Sequence, residues 1–204
     1  INTQRAYLSV LGPPGYPLPE RERVNPVYLH EIQLNLFLSV ITTPFDFVLA
    51  ALILLTEKRS TTIRTLRWDQ IIRYDKKTYL EIGGERFKLP PTLAQLILLI
   101  ERKHRGSPYI FIPQTERWRN LPTTSDDTPL KPISSTEVNR RLKKYARKAG
   151  LEDSKMNSRL LRHTRRILGE EVIRATIEKA VQSRLPQPIA WKRDPRLHGI
   201  GRRS

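Results

Sequence analysis

The sequence predicts a mixed α+β fold that is mainly helical, in which a helical bundle carries a small three-stranded antiparallel sheet. After residue 26, apolar residues recur at helical spacing over most of the chain. Between residues 67 and 90 this spacing gives way to three short segments rich in β-branched and aromatic residues, "RWDQIIRY", "KTYLEI" and "ERFKLP". Because the chain has 204 residues, we expect one main domain with a sizeable core.

Proline and turn residues divide the chain into three parts. Residues 1–25 include most of "GPPGYPLPERERVNP", and we expect an extended arm or linker there. Residues 26–185 contain the predicted helices and strands and form the expected domain. Residues 186–204 are basic and contain prolines, which predicts a tail without a core of its own. The first residue is Ile1 rather than Met, so we expect a fragment of a longer chain.

Three helices are predicted before the sheet. The first begins near Pro26, and its predicted apolar face consists of Leu29, Ile32, Leu36 and Val40. The second starts at "TTP" and runs through residues 45–55, an apolar stretch that is too short to cross a bilayer and is therefore expected in the core. A third, short helix follows Arg59.

The order of elements continues with the sheet and more helices. Turn residues at 75–77 and 83–84 separate the three strands, which predicts an antiparallel meander. A helix is predicted over residues 90–104, followed by the extended piece "SPYIFIP" and a polar loop over residues 114–132. Ser134 and Glu137 form a capping-box pattern that begins the next helix, Gly150 ends it, and another helix starts at Ser158.

The charge of the chain is strongly basic and unevenly distributed. It has 37 Lys and Arg residues against 20 Asp and Glu residues, a formal net charge of +17, and from Ser134 onwards there are 19 basic but only 7 acidic residues. Such a local excess is typical of a protein that binds a polyanion, most often nucleic acid. A solvated basic face, or a ribosome-like or membrane-surface protein, is the other interpretation. The absence of cysteine excludes disulfides and thiolate metal sites, and we predict no cofactor and no metal.

Two predicted helices hold much of this positive charge. The helix over residues 134–149 carries the bases that we predict as DNA contacts, which are Arg140, Arg141, Lys144, Arg147 and Lys148. The next segment, "SRLLRHTRRILGEE", has no acidic residue before Glu170. Arg162, with Arg159 three residues before it and Arg166 four residues after it, presents a helix face suited to a backbone phosphate.

Two segments carry a resemblance to a known family. "LILLTEKRSTTIRTLRWDQI" resembles the part of tyrosine recombinases (the phage-integrase family) that ends a buried helix and presents the first catalytic arginine. "VNRRLKKYARKAGL" followed by "LLRHT" is similar to the basic helix and the His-x-x-Arg-His box of that family. The resemblance covers roughly residues 24–185 in the same order. It implies double-stranded DNA as the partner, self-association on DNA, a role in DNA recombination or integration from a mobile element, and a cytoplasmic or nucleoid-associated protein that does not bind membranes.

The same resemblance assigns candidate site residues. In that family two arginines bind the scissile phosphate, a lysine and histidines move protons, and a tyrosine attacks to form a phosphotyrosyl link. Arg59 matches the first arginine, Arg162 the second, and His163 the histidine beside it. The other interpretations are a solvent-facing base for Arg59 and a packing histidine for His163.

The sequence also departs from the family pattern. A family histidine is replaced by Arg159, and the hairpin that carries the lysine is shortened, which leaves Lys88 or Arg86 as imperfect substitutes; the other interpretation makes both of them solvent-facing strand residues. No tyrosine follows Tyr145, so the nucleophile is missing from the family position. We therefore predict a DNA-binding, recombinase-like domain that is defective in strand cleavage as given, and whether the chain is an enzyme stays open. The alternative is a non-enzymatic basic module that associates with RNA or the ribosome.

Overall fold

The computed structural model describes residues 27–103, 107–113 and 131–182. In these ranges the fold is mainly helical with one small antiparallel sheet, as predicted. The elements in chain order are α1 (Glu31–Ser39), α2 (Pro44–Thr56), α3 (Ser60–Arg64), a 3-10 turn (Trp68–Gln70), β1 (Ile71–Tyr74), β2 (Lys77–Ile82), β3 (Glu85–Lys88), α4 (Pro91–Lys103), α5 (Ser135–Lys148), α6 (Ser158–Leu168) and α7 (Glu170–Gln182). The predicted arm over residues 1–25, the tail over residues 186–204 and most of the polar loop lie outside the described residues.

Helix α2 is the centre of the core. Every side chain from Phe45 to Thr56 is buried. Pro44 occupies the first turn, and the Thr43 hydroxyl accepts a hydrogen bond from the backbone N–H of Asp46 at 3.2 Å, so the helix has a defined start. Helix α2 is surrounded by α3, α4, α6 and α7. Its contact with α6 is part of this packing.

The sheet is the predicted meander, with strand order β1-β2-β3 and both pairs antiparallel. Gly83 and Gly84 have φ of 58° and 83°, and they form a two-residue hairpin turn that requires left-handed backbone at both positions. Ile71 pairs with Leu80, and Leu80 pairs with Phe87, so these three side chains share the face that packs on the core.

The predicted apolar face of the first helix is only half right, because Leu29 is buried and Val40 packs against the core, whereas Ile32 and Leu36 do not face it. Ile32 is 82% exposed and Leu36 is 44% exposed, whereas Leu34, Phe37 and Leu38 are fully buried. The segment contains two overlapping apolar stripes, and the stripe with the bulky Phe37 is the one that packs against α5 and α7. No helix in the described ranges is long and apolar enough to span a membrane.

Helix α5 begins and ends at the predicted signals, and α6 starts at Ser158 as predicted. The Ser134 hydroxyl accepts from the backbone N–H of Glu137 at 3.0 Å, and Gly150, with φ of 66°, lies just past the end of α5. Asn157 caps α6 in the same way through Leu160 N–H at 3.0 Å. Gly169, with φ of 84°, ends α6, so α7 is a separate helix that follows it.

Candidate functional site

Arg59 lies at the exit from the central helix. After Thr56, Glu57 adopts the left-handed conformation with φ of 55°, and Lys58 leads to Arg59, which precedes the first turn of α3. Arg59 is exposed although α2 before it is fully buried. Since α2 packs closely on α6, the exit places Arg59 beside the basic face of α6.

Helix α6 has a buried face and a basic face. Leu160, Leu161 and Thr164 are buried, and the Thr164 hydroxyl accepts a hydrogen bond from the backbone N–H of Leu29 at 2.9 Å. Arg162 lies partly buried on the other side, and its Nε atom is buried without a hydrogen-bond partner among the residues that the structure describes. The Nε atoms of Arg64 and Arg165 are in the same state, so this atom alone does not distinguish Arg162.

The electrostatics of Arg162 tie the predicted residues together. Burial lowers the pKa of Arg162 below its ordinary value, and the positive charges of Arg166, Arg59 and Arg159 lower this pKa further. The structure thus brings Arg59 into electrostatic range of Arg162, although they lie far apart in the sequence. We call Arg59, Arg159, Arg162 and Arg166 the arginine cluster.

Glu57 is the acidic residue that acts on this cluster. Its carboxylate accepts a hydrogen bond from Nε of Arg166 at 2.9 Å. Its negative charge raises the pKa of Arg162, but burial and the neighbouring arginines lower this pKa by more. A left-handed glutamate costs on the order of 1 kcal/mol. Sequence reasoning missed this residue, because nothing in "LLTEKR" indicates that a non-glycine residue takes this conformation.

His163 is held by its neighbour on the helix. Nε of Arg159 donates a hydrogen bond to Nε2 of His163 at 3.3 Å. In this arrangement Nε2 is the acceptor. Arg159, which occupies a histidine position of the family pattern, therefore orients the adjacent imidazole.

The structure does not bring Lys88 or Arg86 to the cluster. Phe87 faces the exit from α2, where Nζ of Lys58 lies 5.6 Å from its ring centroid, and strand alternation turns Lys88 and Arg86 to the opposite face of the sheet. Arg86 pairs there with Glu81 at 3.0 Å. The base that does reach this region is Lys58, but its ammonium is paired with Glu85 at 2.7 Å.

Arg141 has a structural role rather than the DNA contact that we predicted. Its side chain is only 12% exposed, and it pairs with Asp46 at 2.7 Å and with Glu137 at 2.6 Å. These carboxylates occupy its Nη1 and Nε donors. The guanidinium therefore joins α5 to the start of α2 and is not free to bind a phosphate.

The other predicted bases of α5 stay accessible. Arg140 pairs with Glu137 and Arg147 with Asp153, but both arginine side chains are at least two-thirds exposed. Such surface pairs are weak and exchange readily for another anion. Lys144 and Lys148 are exposed, with their Nζ atoms 5.6 and 5.7 Å from the ring centroid of Tyr145.

A polar cavity of about 400 Å³ adjoins the arginine cluster between the end of α2, the sheet and α6. Three ion pairs surround it, which are Lys58–Glu85, Arg166–Glu57 and Arg165–Glu170. Most charged groups around this cavity are therefore paired with one another, whereas Nε of Arg162 has no partner among the described residues. Among the described residues no group of three His, Asp or Glu side chains is placed to hold a metal ion.

The described helices and sheet form the fold of the tyrosine-recombinase catalytic domain. Solved structures are similar to the chain, and three of them are recombinase structures that match as follows. The XerH site-specific recombinase bound to difH substrate in a pre-cleavage complex matches with a TM-score of 0.54 and 14% identity, over 76% of this chain and 49% of that one. XerH bound to a palindromic difH substrate in a post-cleavage complex matches with a TM-score of 0.53 and 18% identity, over 76% of this chain and 48% of that one. XerA recombinase matches with a TM-score of 0.53 and 14% identity, over 92% of this chain and 75% of that one.

This likeness is one of fold. No protein-family model matches the sequence, and no curated protein matches it. The chain spans about half the length of the XerH chains that it matches.

Proposed function

We propose that this chain is a DNA-binding domain with a recombinase fold, and that its arginine cluster holds a backbone phosphate of double-stranded DNA. The observation that carries the proposal is Arg162, a partly buried guanidinium with an unpartnered Nε and three positive neighbours. The fold also supports it, because both XerH structures are complexes with a DNA substrate.

The physical reason lies in the balance of charge. Arginines brought together without enough acid repel each other, and burial removes part of the water that would screen this repulsion. A phosphate relieves both costs, since its oxygens accept several guanidinium N–H bonds at once. The exposed bases of α5 would continue the contact along the DNA backbone, and those are Arg140, Lys144, Arg147 and Lys148.

Strand cleavage is not part of the proposal. The sequence has seven tyrosines, and all of them precede Arg159. Tyr145, the last of them, is 1% exposed, and its hydroxyl donates to Asp46 at 2.8 Å. Burial raises the pKa of Tyr145, which makes it a poorer nucleophile still. We therefore propose a domain that binds DNA and, as given, is defective in strand cleavage, such as the remnant of an integrase from a mobile element.

Binding to duplex DNA is expected to depend steeply on salt. If about six phosphates are contacted, the logarithm of the association constant falls against the logarithm of salt concentration with a slope near −5. Fluorescence anisotropy of a labelled duplex over a salt series measures this slope, and a structured RNA of equal length is the matched competitor. Tighter binding to the RNA would favour the basic RNA-associated module instead, and binding without salt dependence would overturn the proposal.

A nicked suicide substrate is expected to yield no covalent protein–DNA adduct with this chain. An active tyrosine recombinase, run with its own nicked site, is the positive control. Denaturing electrophoresis detects the adduct, and peptide mapping would locate it. An adduct on any tyrosine would contradict the non-cleaving part of the proposal and leave the phosphate site intact.

A further inference from the structure

The outer face of the sheet is aromatic and basic, and the duplex-binding proposal makes no use of it. Ile72, Tyr74, Tyr79 and Arg86 line a cavity of about 480 Å³ there. Tyr74 is 75% exposed, which is unusual for so large a side chain on a sheet. The cavity lies on the face opposite Leu80 and Phe87, which pack on the core.

The strand register pairs each of the two tyrosines with a lysine. Tyr74 pairs with Lys77 across β1 and β2, and Tyr79 pairs with Lys88 across β2 and β3. Directly paired residues project from the same face, so each tyrosine has a lysine opposite it on this face. The two tyrosines are diagonal neighbours, which places them about 7–8 Å apart.

We propose that this face binds unpaired nucleotides of single-stranded DNA, with bases stacked on Tyr74 and Tyr79 and phosphates near the paired lysines. Flat aromatic rings stack on any base, and neighbouring cations attract the backbone, which is how sheet surfaces bind single strands. A duplex hides its base faces and offers nothing to these rings. An apolar peptide would leave the ammonium groups of Lys77 and Lys88 without a counterion, so the charges favour the nucleic acid.

This site is separate from the arginine cluster. The cluster adjoins the exit from α2, where Lys58 contacts the inner face of the sheet through Phe87 and Glu85. The tyrosines project from the outer face. The inference therefore does not rest on the proposed duplex binding, and variants can test the two sites independently.

The experiment uses the full chain and a labelled oligothymidylate of about 12 nucleotides. Tyr74→Ala and Tyr79→Ala are each expected to weaken binding about fivefold or more, as the loss of one stacked base requires. Tyr74→Phe and Tyr79→Phe keep the ring and should bind within about twofold of the parent chain. Circular dichroism checks that the sheet still forms in each variant.

Two comparisons separate stacking from simple charge attraction. An abasic strand of the same length keeps the phosphates, so it should bind more weakly than oligothymidylate and should not distinguish the parent chain from the alanine variants. Arg162→Ala should weaken duplex binding more than single-strand binding. Equal binding of abasic and thymidine strands, or alanine variants that bind like the parent, would overturn the inference and make a protein partner or a second copy of the chain the better occupant.

Discussion

Asp46→Ala is expected to lower the free energy of unfolding by about 3 kcal/mol. The Asp46 side chain is 9% exposed and accepts from Nη1 of Arg141 at 2.7 Å and from the hydroxyl of Tyr145 at 2.8 Å. Removing it leaves the Nη1 donor of the buried Arg141 without its acceptor and takes from the Tyr145 hydroxyl the carboxylate to which it donates. The loss of stability exceeds the net contribution of the ion pair, because the guanidinium of Arg141 stays buried and charged without this carboxylate.

Urea denaturation followed by circular dichroism measures the effect. Arg140→Ala is the matched control on the same helix, because it breaks an exposed pair with Glu137 and should change stability by no more than about 0.5 kcal/mol. Tyr145→Phe removes the hydrogen bond to Asp46 but leaves the Arg141–Asp46 ion pair in place, and should cost about 1 kcal/mol. An Asp46→Ala variant as stable as Arg140→Ala would show that α5 does not depend on this buried contact.

The elements that were predicted correctly carry local signals that agree with their surroundings. Helix α2 is apolar all round, has proline in its first turn and lies in the core, so local and global preferences coincide. The Gly83–Gly84 turn fits only a tight hairpin, and it set the register of the meander.

The predictions that were wrong concern positions where the local sequence fits two arrangements and tertiary packing determines which one forms. The first helix offers two apolar stripes, and only the neighbours α5 and α7 decide that Phe37 rather than Ile32 is buried. Arg141 lies three residues after Val138 and four before Tyr145, so helical spacing places it beside the buried face, but its pairing with the distant Asp46 has no signal in the sequence. Pairing between residues this far apart leaves no periodic signal.

The candidate site likewise contains residues that the sequence indicated and one residue that it did not. The repeated bases of α6 indicated a phosphate-binding face, and the resemblance to tyrosine recombinases singled out Arg59 as its distant partner. Neither observation indicated Glu57, because its effect on the cluster depends on the left-handed turn between α2 and α3. Lys88 was named only through the resemblance, and strand alternation places it on the face opposite Phe87 and the exit from α2.

Arg162→Ala is expected to reduce duplex affinity about tenfold and to flatten the salt slope by about 1. The same substitution should not lower stability, because the lost guanidinium has an unpartnered Nε and is repelled by Arg59, Arg159 and Arg166. A residue kept only for packing would show the reverse pattern, with lower stability and unchanged binding. The two measurements are anisotropy titrations at several salt concentrations and urea denaturation.

Two further variants sharpen this comparison. Glu57→Gln removes the negative charge that holds Arg166, so it should tighten duplex binding about fivefold, as expected for about 1 kcal/mol of relieved repulsion. Arg174→Ala deletes an equal charge from α7, where Glu170 already neutralises it at 2.7 Å, and should change affinity little. If Arg162→Ala and Arg174→Ala weakened binding equally, net charge alone would account for DNA affinity. Opposite shifts for Arg162→Ala and Glu57→Gln, with Arg174→Ala unchanged, require a phosphate seated among these particular side chains.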